Sequence, residues 1–379
     1  MKIVVLGPFY PYKGGIMHFT TQTSKALSKR HDVINVSYSL QYPKILFPRG
    51  EQRDFSNTQS KLDNINYWLN TANPFSCIAV AKKINRLKPD LIIFNWFHTY
   101  FAPSLWIICK LLNKKIKILF LCHNVLPHEK IPFQKSMTKA VLKNANFSIV
   151  MAKSEEQALK TLIKNPVIKR TLHPLYDMFC NPAEFTKQSA RESLGIFDND
   201  FVMLFFGYIR EYKGLKIFLE AYQKIVKNVN NTTLLIGGEF NKSEKDEYVN
   251  LIEKAGKNGG KIMISGDYLS ESDVNKYFTA SDVVVLPYLS ATQSGVATIA
   301  YAYGKPVIAT TVGGLPEVVT EGETGYLAPP GDSEALANVV INFAKIHDKT
   351  VFSERISREL QKFSWDRLVE AVEELMKII

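Results

Sequence analysis

A chain of 379 residues is long for a single core, and its 46% hydrophobic and 22% charged residues exclude a disordered or fibrous polymer. The formal net charge of +11 is unevenly held: residues 1–180 carry 26 Lys and Arg against 9 Asp and Glu, and the remainder carries 21 against 27. Two globular domains with different partners follow from that split.

"MKIVVLGPFY" opens on a strand-like apolar run, too short for a secretory signal, and leads to Gly14 and Gly15. The two glycines start a helix over about Ile16 to Lys29, with Ile16, Phe19, Ala26 and Leu27 on its apolar side. Paired glycines there let an anion approach bare amides at a positive helix end; a plain loop is the alternative. "DVINVS", a helix near Phe75 to Leu87, and "DLIIFN" continue the alternation. Leu91 to Cys109 runs 19 residues without a formal charge, long enough for a membrane span. Asn95, His98, Thr99, Tyr100, Pro103 and Ser104 make it a strand, a loop and a buried helix instead. Trp96, His98 and Tyr100 follow that strand as binding-site candidates or as core aromatics. "IKILFLC" then runs into His123, Asn124, His128 and Glu129, and "FSIVMA" adds one more strand. A histidine at a strand end is either a structural hydrogen-bonder or a site residue.

The cations of this half cluster as Lys82, Lys83, Arg86 and Lys88, then Lys110, Lys114, Lys115 and Lys117. Lys135, Lys139 and Lys143 follow at i, i+4, i+8, one stripe on a helix. These are solvated faces, or together a surface for an anionic membrane. No nucleic-acid recognition motif accompanies them, so nucleic acid is not an expected partner. Cys77, Cys109, Cys122 and Cys180 lack ligand spacing and suit buried free thiols in a reducing cytosol.

After the Pro-containing "LHPLYDMFCNPAEF" near 172–185 the pattern restarts: "FVMLFFG", a helix from Leu215, "TTLLIGG", "KIMISG", "DVVVLP" and "KPVIATT". Two such series predict an α/β chain of two doubly wound, Rossmann-like domains, whose sheets present their carboxyl ends to an interdomain cleft. In "GYIREYKGL", Gly207 ends a buried strand and Gly214 precedes a helix, with Arg210 and Lys213 between them. A guanidinium fork and an ammonium at a helix start make a diphosphate site; the alternative is two solvated cations partly neutralised by Glu211.

"SDVVVLPY", "GKPVIATTVGGLPEVV", "GETGYLAPPGD" and the strand–"G…YKG"–helix resemble the donor-binding half of glycosyltransferase family 4, a group of retaining sugar transferases of GT-B type. The resemblance spans nearly the whole chain and is concentrated between about residue 200 and 335. "FSWDRLVEAVEELMKII" looks like that family's last helix, which returns to the first domain. The resemblance therefore implies an acceptor-side domain over 1–178, a nucleotide-sugar domain over 179–361, and a helix of about 362–379 packing on the first. It implies that His123 sits beside the donor sugar. The sequence departs from the family in two places. Family members carry two glutamates eight positions apart before "GKPV", where Ala291 and Ile299 stand here. The family arginine directly follows the glycine, where this chain has Tyr208, so Arg210 must reach in from two places later.

The expected activity is retaining transfer of a sugar from a nucleotide-sugar donor to a lipid-linked glycan acceptor in cell-surface polysaccharide synthesis. His123, Arg210 and Lys213 are the catalytic candidates. Gly14, Gly15, Gly207, Tyr208, Gln293, Ser294, Gly295 and Val296 are the donor-binding candidates, the amides and hydroxyls of "TQSGV" serving sugar and phosphate. Trp96, His98, Tyr100, His128 and Glu129 are the acceptor candidates. With no D-x-D and no His/Cys/Asp cluster at ligand spacing, neither metal nor cofactor is expected. The expected location is cytoplasmic, peripheral on the inner face of the plasma membrane. The alternatives are a non-catalytic sugar-nucleotide-binding subunit and, from another class, a basic nucleic-acid-binding protein.

Overall fold

A computed structural model describes residues 1–44, 52–55, 61–127, 132–240, 244–257, 259–265 and 269–378. The chain forms two compact units, one from residues 1–171 with 365–379 and one from 172–364. The sequence had placed the joins at 178/179 and 361/362.

The first unit runs β1 (Lys2–Leu6), α1 (Gly15–Ser28), β2 (Asp32–Leu40), β3 (Ile65–Asn70), α2 (Pro74–Leu87), β4 (Leu91–Trp96), α3 (Ala102–Leu111), β5 (Lys117–Cys122), α4 (Gln134–Leu142), β6 (Phe147–Val150), α5 (Lys153–Leu162) and β7 (Ile168–Arg170). The sheet order is β3-β2-β1-β4-β5-β6-β7, and every pairing is parallel. Central strands β1, β4 and β5 are almost wholly buried because helices cover both faces, which is why they read as continuous apolar runs.

The second unit runs α6 (Lys187–Leu194), β8 (Phe201–Phe206), α7 (Leu215–Asn228), β9 (Thr232–Gly237), α8 (Lys245–Gly256), β10 (Lys261–Ile264), α9 (Glu271–Ala280), β11 (Val283–Leu286), α10 (Gly295–Ala302), β12 (Val307–Thr310), α11 (Leu315–Val318), β13 (Gly325–Ala328), α12 (Ser333–Ala344) and α13 (Thr350–Glu359). Its sheet order is β10-β9-β8-β11-β12-β13, again all parallel. The order reverses between β1 and β4 in one sheet and between β8 and β11 in the other. Those switch points, at the carboxyl ends, are where doubly wound sheets leave room for ligands. The last helix, α14 (Trp365–Met376), belongs to the first unit and packs on α1, with Trp365 against Phe19 at 5.0 Å between ring centres. The expected fold class, two doubly wound Rossmann-like domains of GT-B type, is the one found. Strands β3, β7 and β13 had no counterpart among the expected elements.

No helix among the described residues is long and apolar enough to cross a membrane. The stretch checked as a span is β4, a turn and α3.

Candidate functional site

The carboxyl end of β8 is built around Gly207, whose φ of +104° lies in the region only glycine enters freely. A Cβ on it would lie 2.6 Å from Lys213 Nζ and 3.7 Å from Val296 Cγ2. Three sequence candidates, Gly207, Lys213 and Val296, thus meet at one point. Between them, residues Glu211–Lys213 form a 3-10 turn, anchored where the Leu289 N–H donates to the Tyr212 carbonyl at 2.7 Å. Gly214, at φ +71°, lets that turn pass the Pro287 backbone; a Cβ would sit 1.9 Å from the Pro287 oxygen.

Lys213 is only 9% exposed, although the sequence alone allowed a solvated cation. Its Nζ lies 5.6 Å from the centre of the Tyr288 ring, whose electron-rich face attracts a cation. No carboxylate pairs with it among the described residues. Burial pushes its amine below the ordinary lysine value, Tyr212 opposes this, and the Arg210 charge adds to it. Arg210 opens the 3-10 turn and lowers the Tyr208 hydroxyl, whose own pKa is raised chiefly by burial. Tyr208 itself is 41% exposed.

The other wall is the start of α10. Ser294 caps it, accepting from the Ala297 N–H at 3.4 Å, and its Oγ lies 3.4 Å from the Tyr288 hydroxyl. Gly295 follows because the helix start presses on Tyr176, where a Cβ would come within 2.7 Å of the ring. Gln293, just before the cap, has a buried Oε1 with no hydrogen-bond partner among the described residues. Gly313 lets the "TVGGLP" turn close on this loop: at φ +54°, a Cβ would meet the Ala291 oxygen at 1.8 Å. The Thr310 hydroxyl donates to the Tyr288 carbonyl at 2.6 Å. Tyr288 was not among the sequence candidates, although it closes the quoted "SDVVVLPY"; its position there was the available signal.

In the first unit, α1 begins at Gly15 after Gly14, whose φ is +102° and whose missing side chain would meet nothing within 4 Å. His123 follows β5 and is 2% exposed. Its Nε2 is 3.0 Å from Asn95 Oδ1, its backbone N–H donates to the Trp96 carbonyl at 2.8 Å, and its ring meets the Phe19 ring edge-on at 4.6 Å. Two residues on, the Val125 peptide is held at both ends: the Trp96 indole N–H donates to its carbonyl at 3.1 Å, and its own N–H donates to Glu155. Burial pushes the Glu155 carboxyl up to about 7, with the Val125 N–H opposing. Neither Glu155 nor this clamp was visible in the sequence.

The acceptor candidates are scattered. Trp96 is fully buried in the core with its one N–H spent on Val125, so it offers no face to a ligand, and that expectation is corrected. His98 Nδ1 accepts from the Tyr100 N–H at 3.1 Å, and the Tyr100 hydroxyl lies 2.9 Å from Thr71 Oγ1; both are partly exposed. His128 and Glu129 lie outside the described residues. Lys135, Lys139 and Lys143 are all exposed on α4 and just past it. Among the described residues no group of three His, Cys, Asp or Glu is placed to hold a metal ion.

Residues 186–358 match the family model for glycosyl transferases group 1. The lipopolysaccharide 1,2-N-acetylglucosaminetransferase of Salmonella typhimurium is 29% identical over 50% of this chain and 52% of its own length. The N-acetyl-alpha-D-glucosaminyl L-malate synthase of Bacillus anthracis is 22% identical over 91% of this chain and 88% of its own. The match to the Salmonella protein thus spans about half of that relative. A crystal structure of Anabaena Alr3699/HepE in complex with UDP and glucose superposes with a TM-score of 0.76, at 18% identity and full coverage of both chains. The second unit therefore carries the sequence pattern of the group 1 glycosyl transferases, and the chain as a whole carries the GT-B fold.

Proposed function

We propose that this protein is a retaining glycosyltransferase that moves a sugar from a nucleotide-sugar donor to a lipid-linked glycan acceptor, in cell-surface polysaccharide synthesis. The observation that carries the reading is the buried Lys213 ammonium at the switch point of the second sheet, set against Gly207 and Tyr288 with no carboxylate paired to it among the described residues. A buried cation costs free energy unless an anion joins it, and a diphosphate is the anion that a glycine turn and a capped helix start accommodate. The relatives named for sugar transfer, and the UDP and glucose named for the structural neighbour, agree with that choice.

In this reading Lys213 and Arg210 hold the diphosphate, with the Gly295 and Val296 amides and the Ser294 hydroxyl beside them. Gln293 offers its buried oxygen to a sugar hydroxyl. As the bond from the anomeric carbon to the phosphate oxygen breaks, charge grows on the departing oxygen, and fixed cations stabilise it more than they stabilise the bound donor. The acceptor oxygen bonds to the anomeric carbon on the same face, and its proton passes to the departing phosphate, giving retention. For the first unit the reading assigns the Gly14–Gly15 amides to donor phosphate and His123 to the transferred sugar.

An anionic membrane is the proposed surface for the acceptor. Segments 74–88, 102–117 and 132–146 hold eleven Lys and Arg and no Asp or Glu, and Phe75, Trp106 and Phe133 are exposed within them at 79%, 42% and 81%. Each cation near such a surface contributes about 1 kcal/mol.

The test is a screen of purified protein against UDP-, GDP-, ADP- and dTDP-sugars, following release of the nucleoside diphosphate. At least one donor should turn over. Binding of a nucleoside diphosphate without turnover of any donor would make the protein a non-catalytic binding subunit.

A further inference from the structure

The second unit holds a solvent-open cavity of about 430 Å³ at the end of its sheet opposite Gly207 and Ser294. Thr279 and Lys305, which lie just ahead of β11 and β12, line it, so it opens beneath the amino ends of these parallel strands. Phe185, Tyr301, Ile356 and Leu360 supply apolar wall, and Lys187 and Lys305 supply charge. Its volume lies in the range of small-molecule sites.

The charges around it do not balance. Lys305 Nζ donates to the carbonyls of Thr279 at 3.1 Å and Ser281 at 2.7 Å. An ammonium has three N–H groups, and the third has no acceptor among the described residues. The nearby carboxylate is Asp282, already engaged by Lys187 at 2.6 Å, Arg191 at 2.9 Å and the Val202 N–H at 2.8 Å. Lys187, Arg191 and Lys305 therefore lie around Asp282, whose oxygens are taken by the first two and the Val202 N–H, while Glu184 and Glu359 lie toward the Tyr303 and Tyr301 side of the pocket. Cys180 does not supply the missing charge, because burial and Asp177 raise its thiol pKa more than Lys305 lowers it. Burial, helped by the charges of Lys187 and Arg191, pushes the Lys305 amine down to about 8. A buried ammonium held by two carbonyls at the end of α9, with no carboxylate bonded to it among the described residues, can take an anion on its third N–H, and the largely apolar wall beside it suits an amphiphilic one.

We propose that this cavity binds a small amphiphilic anion, with a carboxylate or phosphate head on Lys305 and Lys187 and an apolar body against Phe185, Tyr301 and Ile356. The proposal does not rest on the transferase reading.

The whole chain is titrated with phenyl phosphate, benzoate and uncharged benzyl alcohol by calorimetry. At least one of the two anions should bind with a Kd of about 1 mM or tighter, and benzyl alcohol at least tenfold more weakly. Affinity should fall as the pH rises through about 8, where Lys305 loses its proton. Lys305→Met and Ser357→Trp should each weaken binding at least tenfold. The second fills the cavity from an exposed position on α13 and guards against a folding defect in the first. Lys213→Ala, at the other end of the sheet, should leave it unchanged. The proposal fails if neither anion binds, if benzyl alcohol binds as well as they do, if folded Ser357→Trp binds normally, or if Lys213→Ala abolishes binding.

Discussion

Replacing Lys213 by Met keeps most of the aliphatic stem that packs against Gly207, Val296 and Tyr288 and removes only the ammonium. That charge is buried without a carboxylate among the described residues, so its loss should leave stability unchanged or raise it. The sign of the pH effect follows from the direction of its shift. Burial lowers the folded-state pKa below the ordinary lysine value of 10.5, so between the two values the unfolded chain holds the extra proton. Stability of the wild-type protein should therefore rise with pH across that window, and the Met variant should lack this contribution to the slope. Catalysis should move the other way. Fixed donors aimed at developing charge are worth about 100- to 1,000-fold in rate, or roughly 2.7–4 kcal/mol, so kcat/KM should fall by that factor. Two calorimetric measurements accompany the rates. Nucleoside diphosphate affinity should drop while nucleoside affinity holds, and the wild type should take up protons on binding at alkaline pH where the variant does not. A folded Lys213→Met protein with kcat/KM within a few-fold of wild type and ordinary product inhibition would refute the diphosphate assignment.

Gly214→Ala would force a Cβ to 1.9 Å from the Pro287 oxygen at a φ of +71°, so thermal unfolding should show a loss of about 2 kcal/mol or more. Glu155→Gln keeps an acceptor for the Val125 N–H while removing a carboxyl that burial raises from 4.5 to about 7. Because the folded state binds the extra proton, wild-type stability from this group should be lost as pH rises from about 4.5 to 7, by roughly 3 kcal/mol, and denaturant titrations of the Gln variant should lack that loss. Sedimentation with anionic vesicles should weaken steeply with salt, and further in a Lys135→Ala, Lys139→Ala, Lys143→Ala variant; equal sedimentation with neutral vesicles would contradict the membrane surface.

Central strands were the most legible elements, because burial on both faces leaves a run such as "FVMLFF" with no polar position. β3 escaped notice because "INYWLN" is mostly half-exposed and carries Asn at two of its six positions, and β7 is three residues long. At the candidate site, Gly207 and Lys213 were readable from the strand–turn–helix pattern, and Val296 from the family resemblance of the loop before α10. Lys213's burial was not, since it depends on Tyr288, 75 positions further on. Trp96 illustrates the opposite failure. An aromatic at a strand end looks the same whether its ring faces solvent or core, and the Val125 carbonyl that takes its N–H lies on another loop. The Lys305 cavity draws its lining from Cys180 to Leu360, and no local pattern spans that distance.

α14 has a consequence for how the protein is made. The ribosome releases residues 1–171 long before Trp365, yet α1 gains its partner helix, and Phe19 its contact with Trp365, only once α14 arrives. Residues 172–364 are contiguous and can fold on emergence, so the later unit is completed before the earlier one. A ribosome stalled near residue 364 would hold one finished unit and one with an open, sticky flank. Chaperones should dwell on that intermediate, and truncations that remove α14 should aggregate even though the whole of the second unit is intact.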